Sequence, residues 1–106
     1  KMLPEAGCGI VVCGDPKIED KEGFLIEDCS AAIQNILLAA HGFGLGAVWC
    51  GLYPVTDRAR AVSDVLNIPP DIIPVGLVVV GHGAEKKGAV DRFDAKKVQY
   101  GKWNGQ

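Results

Sequence analysis

The chain has 106 residues, 48% of them hydrophobic and 23% charged, which supports one hydrophobic core and excludes a disordered tail. Its net charge of −2 disfavours a nucleic-acid partner, because phosphate binding needs clustered Lys and Arg side chains. No continuous apolar run approaches the roughly 20 residues of a membrane span, so we expect a cytoplasmic protein without a membrane partner.

The first two predicted elements are a strand and a helix. Residues 8–13 form a continuous apolar run closed by a Gly-Asp-Pro turn, which predicts a strand buried on both faces. From Cys29 onward apolar residues recur at helical spacing, which predicts a helix to Ala40 with Asp28 as its N-cap and Gly42 as its stop. Further apolar positions predict that this helix is buried on most sides.

A glycine-rich loop follows the helix and leads into a short extended segment at residues 47–51. Glycine loops that cradle phosphate follow a strand and open a helix, whereas this loop closes a helix, so the local sequence favours a turn. Trp49 in the extended segment fits two roles, stacking on a planar ligand or filling the core.

The rest of the chain predicts one more helix, one more strand and an arm. Thr56 is the expected cap of a helix over residues 57–66. The continuous apolar residues of 72–80 predict a strand in the interior of a sheet. Beyond residue 81 the chain is polar with isolated aromatic residues, so this part becomes ordered only by lying on another surface.

The cysteines and histidines do not predict a metal or hydrolytic site. The cysteines are Cys8, Cys13, Cys29 and Cys50. Their spacing contains no C-x-x-C pair, so we expect no metal ligands, and their apolar neighbours favour a buried structural role for each. The two histidines form no Ser-His-Asp arrangement by order or spacing, which leaves nucleophilic hydrolysis without support.

Residues 28–54, which contain Gly42-Phe-Gly-Leu-Gly-Ala-Val-Trp-Cys-Gly51, closely resemble the flavin-dependent nitroreductase family. The resemblance continues through residues 66–81 and 91–103, but it covers only the C-terminal half of a family subunit. It implies an α+β fold in which helices flank a mixed sheet. Residues 1–90 would form the C-terminal part of that domain, and residues 91–106 would form an extended arm that packs on the partner subunit.

The resemblance also implies a function. Family members are homodimers that hold FMN at the dimer interface, and the flavin N5 passes hydride from NAD(P)H to a small acceptor such as a nitroaromatic or a quinone. The flavin carries this chemistry, so no side chain here is expected to act as an acid or base. The implied cofactor contacts, including an N–H near Gly51 toward N5 and an arginine on the FMN phosphate, come from Gly44, Leu45, Gly46, Trp49, Cys50, Gly51 and Arg92.

Two departures from the family pattern lead to an alternative. Val90 stands where a second basic residue is usual, and the Arg-rich N-terminal segment that grips the phosphate and ribityl groups is absent. Because the chain starts at Lys1, we expect a fragment of a longer enzyme. The alternative is a non-catalytic dimerising module that keeps the fold and has lost flavin binding.

Overall fold

A computed structural model describes residues 7–83 and 88–103 of the chain. The elements in these residues are β1 (Cys8–Gly14), α1 (Glu22–Gly42), β2 (Gly46–Gly51), α2 (Thr56–Leu66) and β3 (Ile73–Gly81), followed by a 3-10 turn at Ala95–Lys97. The strands form one sheet in the order β1-β3-β2. The predicted α+β class is confirmed, but both strand pairings among the described residues are antiparallel, where the resemblance implied a mixed sheet.

Strand β3 lies at the centre of the sheet, as its apolar sequence predicts. Leu77 in the middle of the strand pairs with Val11 of β1 on one side and with Cys50 of β2 on the other. Val78 is fully buried, which fits a β-branched residue between two neighbouring strands and a helix. The central strand therefore links both edges of the sheet to one core.

Strand β1 lies at one edge of the sheet formed by the described residues, and the prediction that both of its faces are buried is wrong for its first half. Cys8 and Gly9 are exposed, and Ile10 is 38% exposed. Burial increases along the strand toward Gly14, where a Cβ would lie 2.2 Å from the buried side chain of Leu25. Helix α1 therefore covers only the C-terminal end of β1. The apolar sequence of β1 does not show which part of the strand is covered.

Helix α1 is longer than predicted, because it begins at Glu22 rather than after Asp28. Leu25 is buried and extends the apolar stripe of Cys29 and Ile33 by one turn toward the N-terminus. The N-terminus of the helix has no side-chain cap, so the packing of Leu25 stabilises this first turn. Asp28 consequently lies inside the helix as an exposed residue and not at its cap.

One side of α1 covers the sheet, through a buried cluster of Leu25, Cys29, Ile33, Ala40, Val75, Val78 and Val80. On the other side Leu38 is 61% exposed, so the prediction of a helix buried on most sides is wrong for the described residues. By length and composition α1 could also span a membrane, although it contains no long continuous apolar run. A single such helix is weak evidence for a membrane span, and one side of α1 packs on the sheet.

Helix α2 ends where the sequence predicts. Asn67 adopts a left-handed conformation with φ of 56° just after the last helical residue, a common way to end a helix. At the other end Val55 occupies the N-cap position and Thr56 is the first helical residue, one position away from the predicted cap. The helix lies against β3 and is covered less completely than α1, since none of its residues is fully buried.

The described part of the tail, residues 88–103, is almost entirely exposed. A local turn forms where the Asp94 carboxylate accepts a hydrogen bond of 3.0 Å from the Lys96 N–H. The radius of gyration of 16.8 Å exceeds the about 13 Å of a compact domain of this length. These features agree with an extended arm, whose boundary at residue 91 and contact with a partner stay predictions. Residues 104–106 lie outside the described part.

Candidate functional site

The glycine loop is a Schellman motif that ends α1. The Leu45 N–H donates to the Ala40 carbonyl at 2.8 Å, and the Gly44 N–H donates to the His41 carbonyl at 3.0 Å. Gly44 has φ of 79°, a conformation that side-chain-bearing residues rarely adopt. The turn that the local sequence favours is therefore confirmed, and Gly44 has a conformational role that does not depend on any ligand.

Strand β2 carries most of the predicted cofactor contacts along one edge of the sheet. Within the described residues it pairs with β3 alone, so its other edge has no neighbouring strand. Leu45 is half-buried against the core, and Cys50 is half-buried on the strand. Gly46 and Gly51, at the two ends of the strand, are exposed. The predicted residues from 44 to 51 thus form one continuous, partly accessible edge.

Trp49 combines the two roles that the sequence left open for it. A Cβ at Gly76 would lie 2.6 Å from the Ile33 side chain and 2.7 Å from the Trp49 indole nitrogen. The indole therefore packs over Gly76, on the side of the sheet that α1 covers. The residue is still 37% exposed, so part of it borders the open edge of β2.

The backbone of Gly51 faces the open edge of β2. The next N–H, of Leu52, donates to the Val75 carbonyl of β3 at 3.3 Å, whereas the Gly51 carbonyl accepts a hydrogen bond of 3.4 Å from the Arg58 guanidinium. In an antiparallel strand the N–H and carbonyl of one residue project to the same side. The Gly51 N–H therefore points away from β3, and a Cβ at this position would meet no atom within 4 Å.

The loop after β2 is tied to the start of α1. The Tyr53 hydroxyl donates a hydrogen bond to the Glu22 carboxylate. This bond raises the pKa of Tyr53 above its usual value, with smaller contributions from desolvation and from the charge of Glu22. The sequence does not identify Tyr53, Glu22 or Arg58 as site residues. No local sequence pattern relates residues that come into contact only when the chain folds.

Arg92 does not come together with the other predicted contacts. It lies in the exposed tail, where the Asp91 carboxylate accepts a hydrogen bond of 3.0 Å from the Phe93 N–H. In residues 7–83 and 88–103, no hydrogen bond or ion pair joins the Arg92 guanidinium to strand β2. Its charge is accessible to a phosphate, but the phosphate site is not assembled around it.

The cysteines divide by position, and only one is fully buried. Cys29 is buried, Cys13 and Cys50 are half-buried, and Cys8 is exposed, which contradicts the buried role predicted for Cys8. Burial raises the pKa of the Cys13 and Cys29 thiols, with smaller contributions from Cys29 and from the Asp28 carboxylate respectively. Both are therefore neutral thiols near pH 7. The described residues contain no cluster of three metal-ligating side chains.

A second concave surface lies on the other face of the sheet, between β1 and α2. It encloses about 490 Å³ and its lining is mostly apolar, from Gly7, Cys8, Gly9, Val11, Ala61, Val62, Val65, Leu66 and Leu77. The sequence did not predict this pocket, although four apolar residues in the second half of α2, Ala61, Val62, Val65 and Leu66, were a signal for it. It contains none of the predicted cofactor contacts.

Comparison with known proteins identifies the family. The model of the Nitroreductase family matches residues 1–82. A Methanothermobacter thermautotrophicus protein, whose name carries a provisional NADH dehydrogenase/NAD(P)H nitroreductase assignment, is 44% identical over 102 residues, which cover 96% of this chain and 53% of that protein. The chain therefore spans about half the length of this curated relative.

Solved structures agree in fold. A Parabacteroides distasonis structure with the same provisional assignment superposes with a TM-score of 0.89 at 38% identity, covering 96% of this chain and 60% of that one. An FMN-dependent nitroreductase from Clostridium difficile superposes with a TM-score of 0.83 at 27% identity, covering 92% and 59% respectively. By the family match and these structures, the chain belongs to the nitroreductase family.

Proposed function

We propose that this chain supplies the β2 side of the flavin site in an FMN-dependent NAD(P)H oxidoreductase of the nitroreductase type. The observation that carries the proposal is the direction of the Gly51 N–H, which points away from β3 at the outer edge of β2, while a Cβ on Gly51 would meet no atom within 4 Å. A similar C. difficile protein is named for its dependence on FMN. Because the chain spans about half of its relatives, the activity is proposed for the complete subunit.

The residues present fit one side of a planar cofactor. A flat ring can approach a backbone donor closely only where no side chain intervenes, and Gly51 meets this condition. Trp49 adds a partly exposed aromatic border to the same edge. Arg92 offers an exposed guanidinium, suited to a phosphate by its planar array of donors, although it is not positioned at β2.

Bound FMN would supply the redox chemistry, taking hydride from NAD(P)H and giving it to a small acceptor such as a nitroaromatic or a quinone. The chain itself would bind and orient the ring. Gly51 would donate its N–H to the ring atom N5, while the turn at Gly44–Gly46 and the half-buried Cys50 hold the backbone of this edge in place. None of these residues is assigned a role as a proton donor or acceptor.

A second copy of the chain is the proposed partner. Apolar side chains remain exposed on both ends of α1 and on the arm: Phe24, Leu38, Phe43, Phe93, Tyr100 and Trp103. Scattered exposed apolar residues are ordinary, but aromatic residues on an arm without its own core need a surface to cover them. We propose that residues 91–106 pack on the partner subunit of a homodimer. The cytoplasmic location stays a prediction.

A pair of substitutions at Gly51 tests the flavin site. Because the Gly51 N–H faces the open edge, Gly51→Pro removes that donor without breaking a bond to β3. Gly51→Ala keeps the donor, and its methyl group enters free space. We expect Gly51→Pro to weaken FMN binding about tenfold or more and Gly51→Ala to change it about twofold or less, measured by fluorescence titration. Equal FMN affinity in both variants would contradict the proposal.

One observation favours the alternative function, a non-catalytic dimerising module without flavin. Arg92 is not joined to β2, and Val90 beside it is exposed and supplies no charge. This alternative predicts that the wild-type protein does not retain FMN. The same titration therefore separates the two functions, because only the oxidoreductase requires saturable FMN binding.

A further inference from the structure

The segment from Gly51 to Tyr53, here named the β2 exit, is held by three other elements. From β3, the Val75 carbonyl accepts hydrogen bonds from the N–H groups of both Leu52 (3.3 Å) and Tyr53 (3.2 Å). Leu52 is buried, so its side chain anchors the middle of the segment in the core. These contacts fix the inner side of the β2 exit and leave its outer side to the two helices.

Helix α2 holds the outer side at Gly51. Arg58, in the first turn of α2, donates from its guanidinium Nη1 to the Gly51 carbonyl at 3.4 Å. This contact is long for a hydrogen bond, so it is a weak restraint that rests mainly on the attraction between the guanidinium charge and the carbonyl dipole. The contact restrains Gly51, the last residue of β2, which has no side chain. In the described sheet no strand pairs with this outer edge of β2.

Helix α1 holds the other end. The Tyr53 hydroxyl reaches the carboxylate of Glu22, the first residue of α1, across 31 positions of sequence. Neither Arg58 nor Tyr53 is a predicted cofactor contact. Both restrain the β2 exit. Arg58 contacts Gly51 directly, and Tyr53, two residues further along the chain, is hydrogen-bonded to Glu22.

We propose that Arg58 and Tyr53 are positioning residues that aim the Gly51 N–H at the flavin. This inference rests on the proposed function. Glycine has more backbone freedom than any other residue, and a strand end on an open edge has few restraints. A hydrogen bond weakens steeply when its angle departs from linear, so a donor on such a residue must be held in direction. Arg58 and Tyr53 supply this restraint from two helices.

The test compares two variants with one matched control in the flavin-loaded protein. Arg58→Gln and Tyr53→Phe each remove one restraint. Arg60→Gln is the control, because it removes an exposed arginine from the same helix as Arg58. Each protein is loaded with FMN labelled with nitrogen-15 at N5, and the N5 chemical shift is measured together with the dissociation constant. The shift reports the hydrogen bond at N5, which a general loss of stability does not change.

We expect Arg58→Gln and Tyr53→Phe to move the N5 signal toward that of free FMN and to weaken FMN binding about two- to tenfold. Arg60→Gln should match the wild type. Arg58→Lys keeps a charged donor and should recover part of the shift. If Arg58→Gln fails to fold, Tyr53→Phe carries the test, since it removes a single oxygen atom.

Two failures are distinguishable. If the wild-type protein does not bind FMN, or binds it without a hydrogen bond at N5, the proposed function fails and this inference fails with it. If the wild type shows the N5 hydrogen bond and both test variants match the Arg60→Gln control, only the positioning roles of Arg58 and Tyr53 are overturned.

Discussion

Two regions of the molecule, the core between α1 and β3 and the outer edge of β2, depend on different features of the chain. Side-chain burial determines the core, where Ile33 and Val78 are completely inaccessible to solvent. Backbone direction determines the edge, where Gly51 is exposed and contributes no side chain. Substitutions in the core should therefore act on stability, whereas those at the edge should act on a ligand.

The largest effect is expected in the core. Ile33→Ala removes a fully buried side chain between α1 and β3 and should lower the free energy of unfolding by about 2–5 kcal/mol. Gln34→Ala, at an exposed position of the same helix, should change it by about 0.5 kcal/mol or less. Urea denaturation measures both. Similar losses from the two substitutions would contradict this difference between core and edge, because α1 would then be buried on both sides.

A smaller effect is expected at the turn between core and edge. Gly44→Ala forces a side chain into a left-handed conformation and should cost about 1–2 kcal/mol of stability. Gly42→Ala, in the last turn of α1, meets no atom within 4 Å and should be neutral or stabilise by up to about 1 kcal/mol. Thermal unfolding of the two variants checks this. A stabilising Gly44→Ala would contradict the Schellman geometry.

The smallest effect is expected at the bond between Tyr53 and Glu22. Tyr53→Phe should lower the free energy of unfolding near neutral pH by less than Gly44→Ala does, because it removes one hydrogen bond at an exposed site. Folding raises the pKa of Tyr53 above its usual 10.0, so its stabilising contribution is full below about pH 10. It is lost as the pH rises through the folded-state pKa.

Urea denaturation across this pH range, with tyrosine absorbance to follow ionisation, measures that dependence. The difference between wild type and Tyr53→Phe should shrink above about pH 10. A difference that instead grows with pH would show that the sign of the linkage is wrong and that Tyr53 ionises more easily in the folded protein.

The sequence predicts the core well, because periodicity and apolar runs report burial directly. Strand β3 and the apolar stripe of α1 follow from their residues, and so does the end of α2 at Asn67. The edge position of β1 and the start of α1 at Glu22 depend on which neighbours are present and on the packing of Leu25, and local sequence does not contain this information.

The candidate site is predictable only in part, for a related reason. The motif from Gly44 to Gly51 is contiguous in sequence, so resemblance to a family could identify it. Arg58 and Tyr53 reach this motif only through the tertiary arrangement of three elements. The separation of Arg92 from β2 is likewise a property of the folded chain, since a sequence match assigns a role to a residue without placing it.

Whether the outer edge of β2 holds a flavin is tested by the visible absorption spectrum of the purified protein, with any released cofactor identified by chromatography. We predict a flavin spectrum and release of FMN, either as purified or after incubation with added FMN. A protein that stays colourless after that incubation would contradict the claim and leave a nitroreductase fold without flavin binding.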